Sequence, residues 1–189
     1  MLGHGAGGGV ETPDLRATAR AACTVCFNVA LVEQPYRVAG RRSQPPARQL
    51  DAAWLAVIKQ LREEMLRQLP LIVGGRSAGA RVACRTDGEV GAAAVLCLAF
   101  PLHPPGRADD PSKSRLSELE AVRVPVLVVQ GESDPFGMPP PGPARKIAPV
   151  AGNHSLRNTD AIEVAVADWL QEWRPKRTAA FEGGGDSLR

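Results

Sequence analysis

Lysine is scarce in this chain. Lys59, Lys113, Lys146 and Lys176 are the only four, and the remaining basic charge is arginine scattered along the length. The formal charge is only +3, and no basic stripe interleaves with aromatics, so the footprint of a nucleic-acid binder is missing. Aromatics make up 4% of the residues, and no apolar run reaches the about 18 residues that a membrane span needs. No charged-then-apolar leader opens the chain, which makes the cytoplasm the expected compartment. Cysteines are few: Cys23, Cys26, Cys84 and Cys97. The first two form a C-x-x-C, but it lacks the strand-to-helix setting of a redox motif and the second ligand pair of a zinc site. Cys97 lies in an apolar run and reads as a small core residue. No metal and no cofactor are expected.

What is present suits an α/β domain. The 189 residues, 44% hydrophobic and 23% charged, are enough to bury a core. Residues 12–22 fit a helix, with Thr12 as N-cap and Pro13 at the first helical position, where its missing N–H costs little. FNVALVE, residues 27–33, is an apolar run with β-branched residues and reads as a buried strand. The Pro-, Arg- and Gly-rich residues 34–48 read as loop. Over residues 51–69, Trp54, Leu55, Ile58, Leu61, Met65 and Leu69 share a helical face. Strands follow at residues 71–74 (LIVG), 92–100 (AAAVLCLAF), 124–130 (VPVLVVQ) and 147–150, with helices at 77–85, 116–121 and 160–173. Strands without polar alternation, separated by helices, indicate a mostly parallel sheet covered on both faces. Residues 1–173 are read as one domain, and the polar, glycine-rich residues 174–189 as a disordered tail.

Two stretches carry chemistry. GHGAGGG, residues 3–9, places five glycines in seven positions. It fits phosphate binding, through the G-x-G-x-x-G spacing of Gly3, Gly5 and Gly8, and it fits a loop offering backbone N–H groups to an oxyanion. The second stretch is GGRSAGAR, directly after the LIVG strand, with Gly75, Ser77 and Gly79 at G-x-S-x-G spacing. A strand-to-helix turn strains the serine backbone and needs small flanking residues. A serine nucleophile needs a base, and the base needs an orienting carboxylate. Asp134, in GESDPFG beyond one strand, and His154, in VAGNHSL beyond the next, stand in suitable loops in the order Ser, Asp, His, with Glu132 competing for the acid role.

On these pieces, together with VEQPYRVAGRR and FPLHPPG, the chain resembles the α/β-hydrolases, and within them a small dienelactone-hydrolase-like group. That group is also similar to testis-expressed animal proteins and to a subunit of a nuclear histone acetyltransferase complex. The resemblance runs from Gly3 to about Leu156. It implies an α/β-hydrolase sandwich in which Ser77 is the nucleophile, His154 the general base and acid, and Asp134 the residue orienting His154. It further implies oxyanion donors at the N–H groups of Ala78 and Ala6. Two departures stand out. The group has a full strand before the His-Gly loop, between two others in the sheet, whereas only Met1 and Leu2 precede it here; a truncated or mis-assigned start is expected. And CTVCF stands where a glycine-containing turn is usual.

Only about two dozen residues separate the strands ending at Phe100 and starting at Val124, too few for a lid domain. The expected partner is therefore a small acyl substrate at an open site, with Tyr36, Arg37 and His103 as candidate contacts and an arginine suited to an anionic group. The leading reading is a serine hydrolase acting on an ester, thioester or related acyl bond. Its rivals are a non-catalytic interaction module on the same fold and a nucleotide-binding protein in which Glu33 holds a ribose.

Overall fold

The computed structural model describes residues 1–65 and 69–173. The expected tail at 174–189 lies outside the described residues.

Among the described residues, six parallel strands form one sheet: β1 Leu2–Gly3, β2 Leu31–Val32, β3 Ile72–Arg76, β4 Ala94–Leu98, β5 Val126–Gly131 and β6 Arg145–Val150. Their order across the sheet is β2-β1-β3-β4-β5-β6. Among the described residues, six helices pack around it: α1 Pro13–Thr24, α2 Pro35–Val38, α3 Ala47–Glu64, α4 Ala78–Val90, α5 Leu116–Ala121 and α6 Thr159–Gln171. The segment between β4 and β5 carries only a 3-10 turn, Pro111–Lys113, and α5, so no lid domain is inserted between these strands.

The period-two alternation of strand side chains divides the core into two layers. Val73, Val95, Cys97, Val126 and Val128 face Trp54 and Ile58 of α3, Val82 and Cys84 of α4 and Leu119 of α5. Leu2, Leu96, Leu98, Leu127 and Val129 face Leu15 and Ala21 of α1 and Ile162, Val166 and Trp169 of α6. Because both faces are covered, the central strands read as unbroken apolar runs. In the first layer the Cys84 and Cys97 sulfurs lie 3.5 Å apart, and their hydrogen bond together with burial pushes the Cys84 thiol well up.

The structure differs from the sequence reading at several ends. The strand before the His-Gly loop is present as the two residues of β1, between β2 and β3. Leu2 pairs with Leu31 on one side and Gly74 on the other. The Met1 amine donates to the Ile72 carbonyl at 2.7 Å, and the Leu2 N–H to the Ala30 carbonyl at 2.9 Å. The strand expected at 27–33 shrinks to Leu31–Val32, because β2 is an edge strand and its only partner offers two residues. Residues 34–48 are not all loop: α2 makes one turn, and α3 starts at Ala47 with Pro46 as N-cap, its fixed φ of −53° suited to a helix entry. At its other end α3 stops at Glu64, leaving Met65 and Leu69 exposed, so they do not share the buried face with Trp54 and Ile58. Helix α4 outlasts its expected end at residue 85 and stops at Gly91, whose φ of +60° supplies a left-handed cap. Thr12 is the N-cap of α1 by position, with Pro13 following, but its hydroxyl makes no capping bond.

Candidate active site

Ser77, Asp134 and His154 stand in loops at the carboxyl ends of parallel strands, where open α/β sheets bind ligands. Ser77 occupies the turn from β3 into α4, with φ 51° and ψ −109°. A non-glycine residue in that region stores strain, and the surroundings must hold it there. They do so by close packing against β1. A Cβ on Gly75 would stand 2.4 Å from the Gly3 carbonyl oxygen, and one on Gly79 would stand at the same 2.4 Å from that atom and 2.8 Å from the His4 carbonyl. The two glycines flanking Ser77 are therefore required by the strand carrying the GHGAGGG loop, which ties the two motifs into one site.

The loop after β5 brings Asp134, and the loop after β6 brings His154. Gly131 lets these loops meet, since a Cβ there would stand 2.5 Å from the Asn153 carbonyl. His154 Nδ1 lies 2.8 Å from Asp134 Oδ2, and His154 Nε2 lies 3.1 Å from Ser77 Oγ. An ionised carboxylate can only accept, so the proton sits on Nδ1 and Nε2 is left to accept from the Ser77 hydroxyl. The Asp134 side chain has no exposed surface, while that of His154 is 16% exposed. Glu132, the competing acid, is exposed.

Asp134 is held at every oxygen. Oδ1 accepts the Phe136 N–H at 2.8 Å, and Oδ2 accepts from Gln130 Nε2 at 2.9 Å as well as from His154. Gln130, wholly buried, also reaches the Phe100 and Gly137 carbonyls at 3.1 and 2.8 Å. The Phe136 ring covers His154, with centroids 4.2 Å apart and planes at 35°. Gln130 and Phe136 are absent from the sequence reading, although a glutamine closing the apolar run VPVLVVQ signals a buried polar role.

The loop after β1 is fixed from below. His4 is buried; its Nδ1 lies 2.7 Å from the Gly5 carbonyl, so that nitrogen donates and Nε2 accepts the Gln34 N–H at 3.0 Å. Tyr36 is only 6% exposed and donates its hydroxyl to the Ala6 carbonyl at 3.2 Å, with burial pushing its phenol up. It therefore supports the loop that carries Ala6. Ala6 and Ala78 are both partly exposed, and among the described residues neither backbone N–H has an acceptor. His103 is turned to structure too: its Nδ1 lies 3.0 Å from the Pro104 carbonyl, and its ring packs on Gly137, whose absent Cβ would meet Nε2 at 2.4 Å. Arg37 lies beside Gly9, with its Nε buried and unpartnered among the described residues. Glu33 is exposed at the end of β2.

Among the described residues, no group of three or more His, Cys, Asp and Glu is placed to hold a metal ion, and no helix is long and apolar enough to cross a membrane.

The sequence profile of a family described as an alpha/beta hydrolase domain matches residues 1–173. No curated protein matches the chain significantly. Among solved structures, the chain is similar to an α/β serine hydrolase without lid from Xanthomonas campestris, at 17% identity and a TM-score of 0.70, covering 91% of this chain and 82% of that one. It is similar also to an esterase from Pyrococcus furiosus, at 14% identity and a TM-score of 0.69, covering 90% and 79%. A third is Est1E from Butyrivibrio proteoclasticus with ferulic acid bound, at 16% identity and a TM-score of 0.66, covering 90% and 87%.

Proposed function

This chain belongs to the alpha/beta hydrolase domain family, and from that premise we propose that it is a serine hydrolase cleaving an ester, thioester or related acyl bond through an acyl-enzyme on Ser77. The observation that carries the reading is the continuous chain Asp134–His154–Ser77, at 2.8 and 3.1 Å, ending on a serine held at φ 51°.

The steps follow from the atoms. Ser77 Oγ attacks the acyl carbon while its proton passes to His154 Nε2, and Asp134 stabilises the imidazolium that forms. The carbonyl oxygen becomes an oxyanion facing the N–H groups of Ala6 and Ala78. Each such donor acts on charge that develops only in the transition state, and removing one typically slows the reaction about 10²- to 10³-fold. The tetrahedral intermediate expels the alcohol or thiol, which takes the proton from Nε2. Water then repeats the sequence: it loses a proton to His154, adds to the acyl carbon, and releases the carboxylic acid with Ser77 restored.

With no lid over the strand ends, the substrate is a small or extended acyl compound taken from an open face. Within the family, GHGAGGG, GGRSAGARVA and AGNHSL support a place beside the small dienelactone-hydrolase-like and testis-expressed groups. Incubation with a fluorophosphonate probe tests the reading: covalent labelling at Ser77, abolished in Ser77→Ala, is expected. A folded protein that stays unlabelled refutes it and leaves an interaction module on a hydrolase fold.

A further inference from the structure

Resting on the hydrolase reading above, we propose that Arg76 is a positioning residue, which with Asp14 holds the His154 loop and the oxyanion loop in register around Ser77. Its guanidinium bonds two separate parts of the chain and stands beside a third. Nε donates to Asp14 Oδ2 at 3.0 Å, Nη2 donates to the His154 carbonyl at 2.8 Å, and Nη1 stands 2.9 Å from the position a Cβ on Gly5 would occupy. Arg76 precedes Ser77 in the chain, so one side chain rooted at the nucleophile reaches the base, the oxyanion loop and α1.

This guanidinium is not free to swing. Its side chain is 17% exposed and that of Asp14 is 1%. The Asp14 carboxylate accepts from Arg76 at one oxygen and from the Leu15 N–H at the other, 2.9 Å away. A carboxylate so buried needs its partner, because breaking a buried pair leaves an uncompensated charge. The pair anchors the arginine, and the anchored fork then fixes the backbone of His154. No other described group bonds the His154 carbonyl. Lysine cannot replace this: a single ammonium on a flexible stem lacks the planar fork that reaches Asp14 and His154 together.

The test uses Arg76→Met and Arg76→Lys in the full chain, with Arg20→Met as control. Arg20 pairs with Glu163 on the exposed side of α1 and touches no site residue. Three quantities are read: the rate of fluorophosphonate labelling, the melting temperature, and the downfield proton resonance of His154 Nδ1. Misplacement of a reacting group by about 1 Å costs up to roughly 10²-fold, so both Arg76 variants should label roughly 10- to 100-fold more slowly, with the His154 resonance shifted or broadened. Arg76→Lys should regain much of the melting temperature lost in Arg76→Met, since it still neutralises Asp14, without regaining the rate. Recovery of the rate in step with the melting temperature shows a merely structural arginine and overturns the proposal. So does an unchanged His154 resonance in a folded variant. If Arg76→Met does not fold, Arg76→Lys decides alone. If the unmodified chain itself is not labelled, the hydrolase reading has failed, and the resonance decides on Arg76 by itself.

Discussion

Replacing Asp134 by asparagine preserves the shape of the side chain and reverses the hydrogen-bonding sense of one of its atoms. The structure determines which one. If the new amide nitrogen faced the Phe136 N–H, two donors would meet at a bond now 2.8 Å long, and the turn after Asp134 would lose its closing bond. If it faces His154 and Gln130, the conflict with Gln130 is easily relieved, because the two Gln130 protons still have the Phe100 and Gly137 carbonyls at 3.1 and 2.8 Å. The second orientation wins. The asparagine nitrogen then donates to His154 Nδ1, which must become an acceptor, and the imidazole proton moves to Nε2. That nitrogen can no longer accept from Ser77. A wrong tautomer with the geometry intact lowers turnover by about 10⁴-fold in an enzyme built this way, and the same order of loss is expected in the rate of fluorophosphonate labelling. The fold should suffer little: one hydrogen bond is lost, about 1 kcal/mol, or roughly 2–4 °C in a chain of this size. Glu132→Gln, at the exposed neighbouring acid, should label like the unmodified chain. An Asp134→Asn protein that labels within an order of magnitude of the unmodified one refutes the claim that Asp134 sets the His154 tautomer.

Two further predictions concern stability. Gly79→Ala places a methyl 2.4 Å from the Gly3 carbonyl oxygen, and both partners are backbone, so β1 or α4 must move; a loss of roughly 3 kcal/mol or more is expected, and an unchanged melting curve refutes the close approach. With Met1 as the first residue, burial lowers its amine to about 5 from 8.0. The unfolded chain therefore binds a proton between those values that the folded chain does not, so stability should rise with pH from 5 to 8 and level off above. Urea unfolding of the chain and of its N-acetylated form checks this, and equal slopes in the two refute it.

Much of the site was legible because its chemistry is local. G-x-S-x-G after an apolar strand, and Asp134 and His154 after the two that follow, are patterns of short range, and the structure joins all three. The carboxyl-end loops follow directly from strand, turn and helix in alternation. Supporting residues were less legible, since their signals are weak without neighbours. Gln130 reads as one polar residue closing a strand, and Arg76 as a spacer between glycine and serine; the bonds that give them roles reach Phe100, Asp14 and His154, far away in the chain. Tyr36 and His103 are candidate ligand contacts by where they fall in the sequence; the fold adds bonds from the Tyr36 hydroxyl to Ala6 and from His103 Nδ1 to Pro104 that the sequence does not announce. The CTVCF turn shows the converse: Cys26 adopts φ +68° where glycine is the easy choice, so the turn forms despite its residue.

The sequence by itself determined the α/β class, the parallel sheet and the residues at its reactive turns, because hydrophobic period and turn chemistry act over a few residues at a time. Tertiary structure alone decided the lengths of β1 and β2, which depend on what each strand finds beside it. It also decided the reason for the glycines. Gly75 and Gly79 are small because the Gly3 backbone lies 2.4 Å from where their side chains would begin, a contact between segments some seventy residues apart that no local pattern encodes.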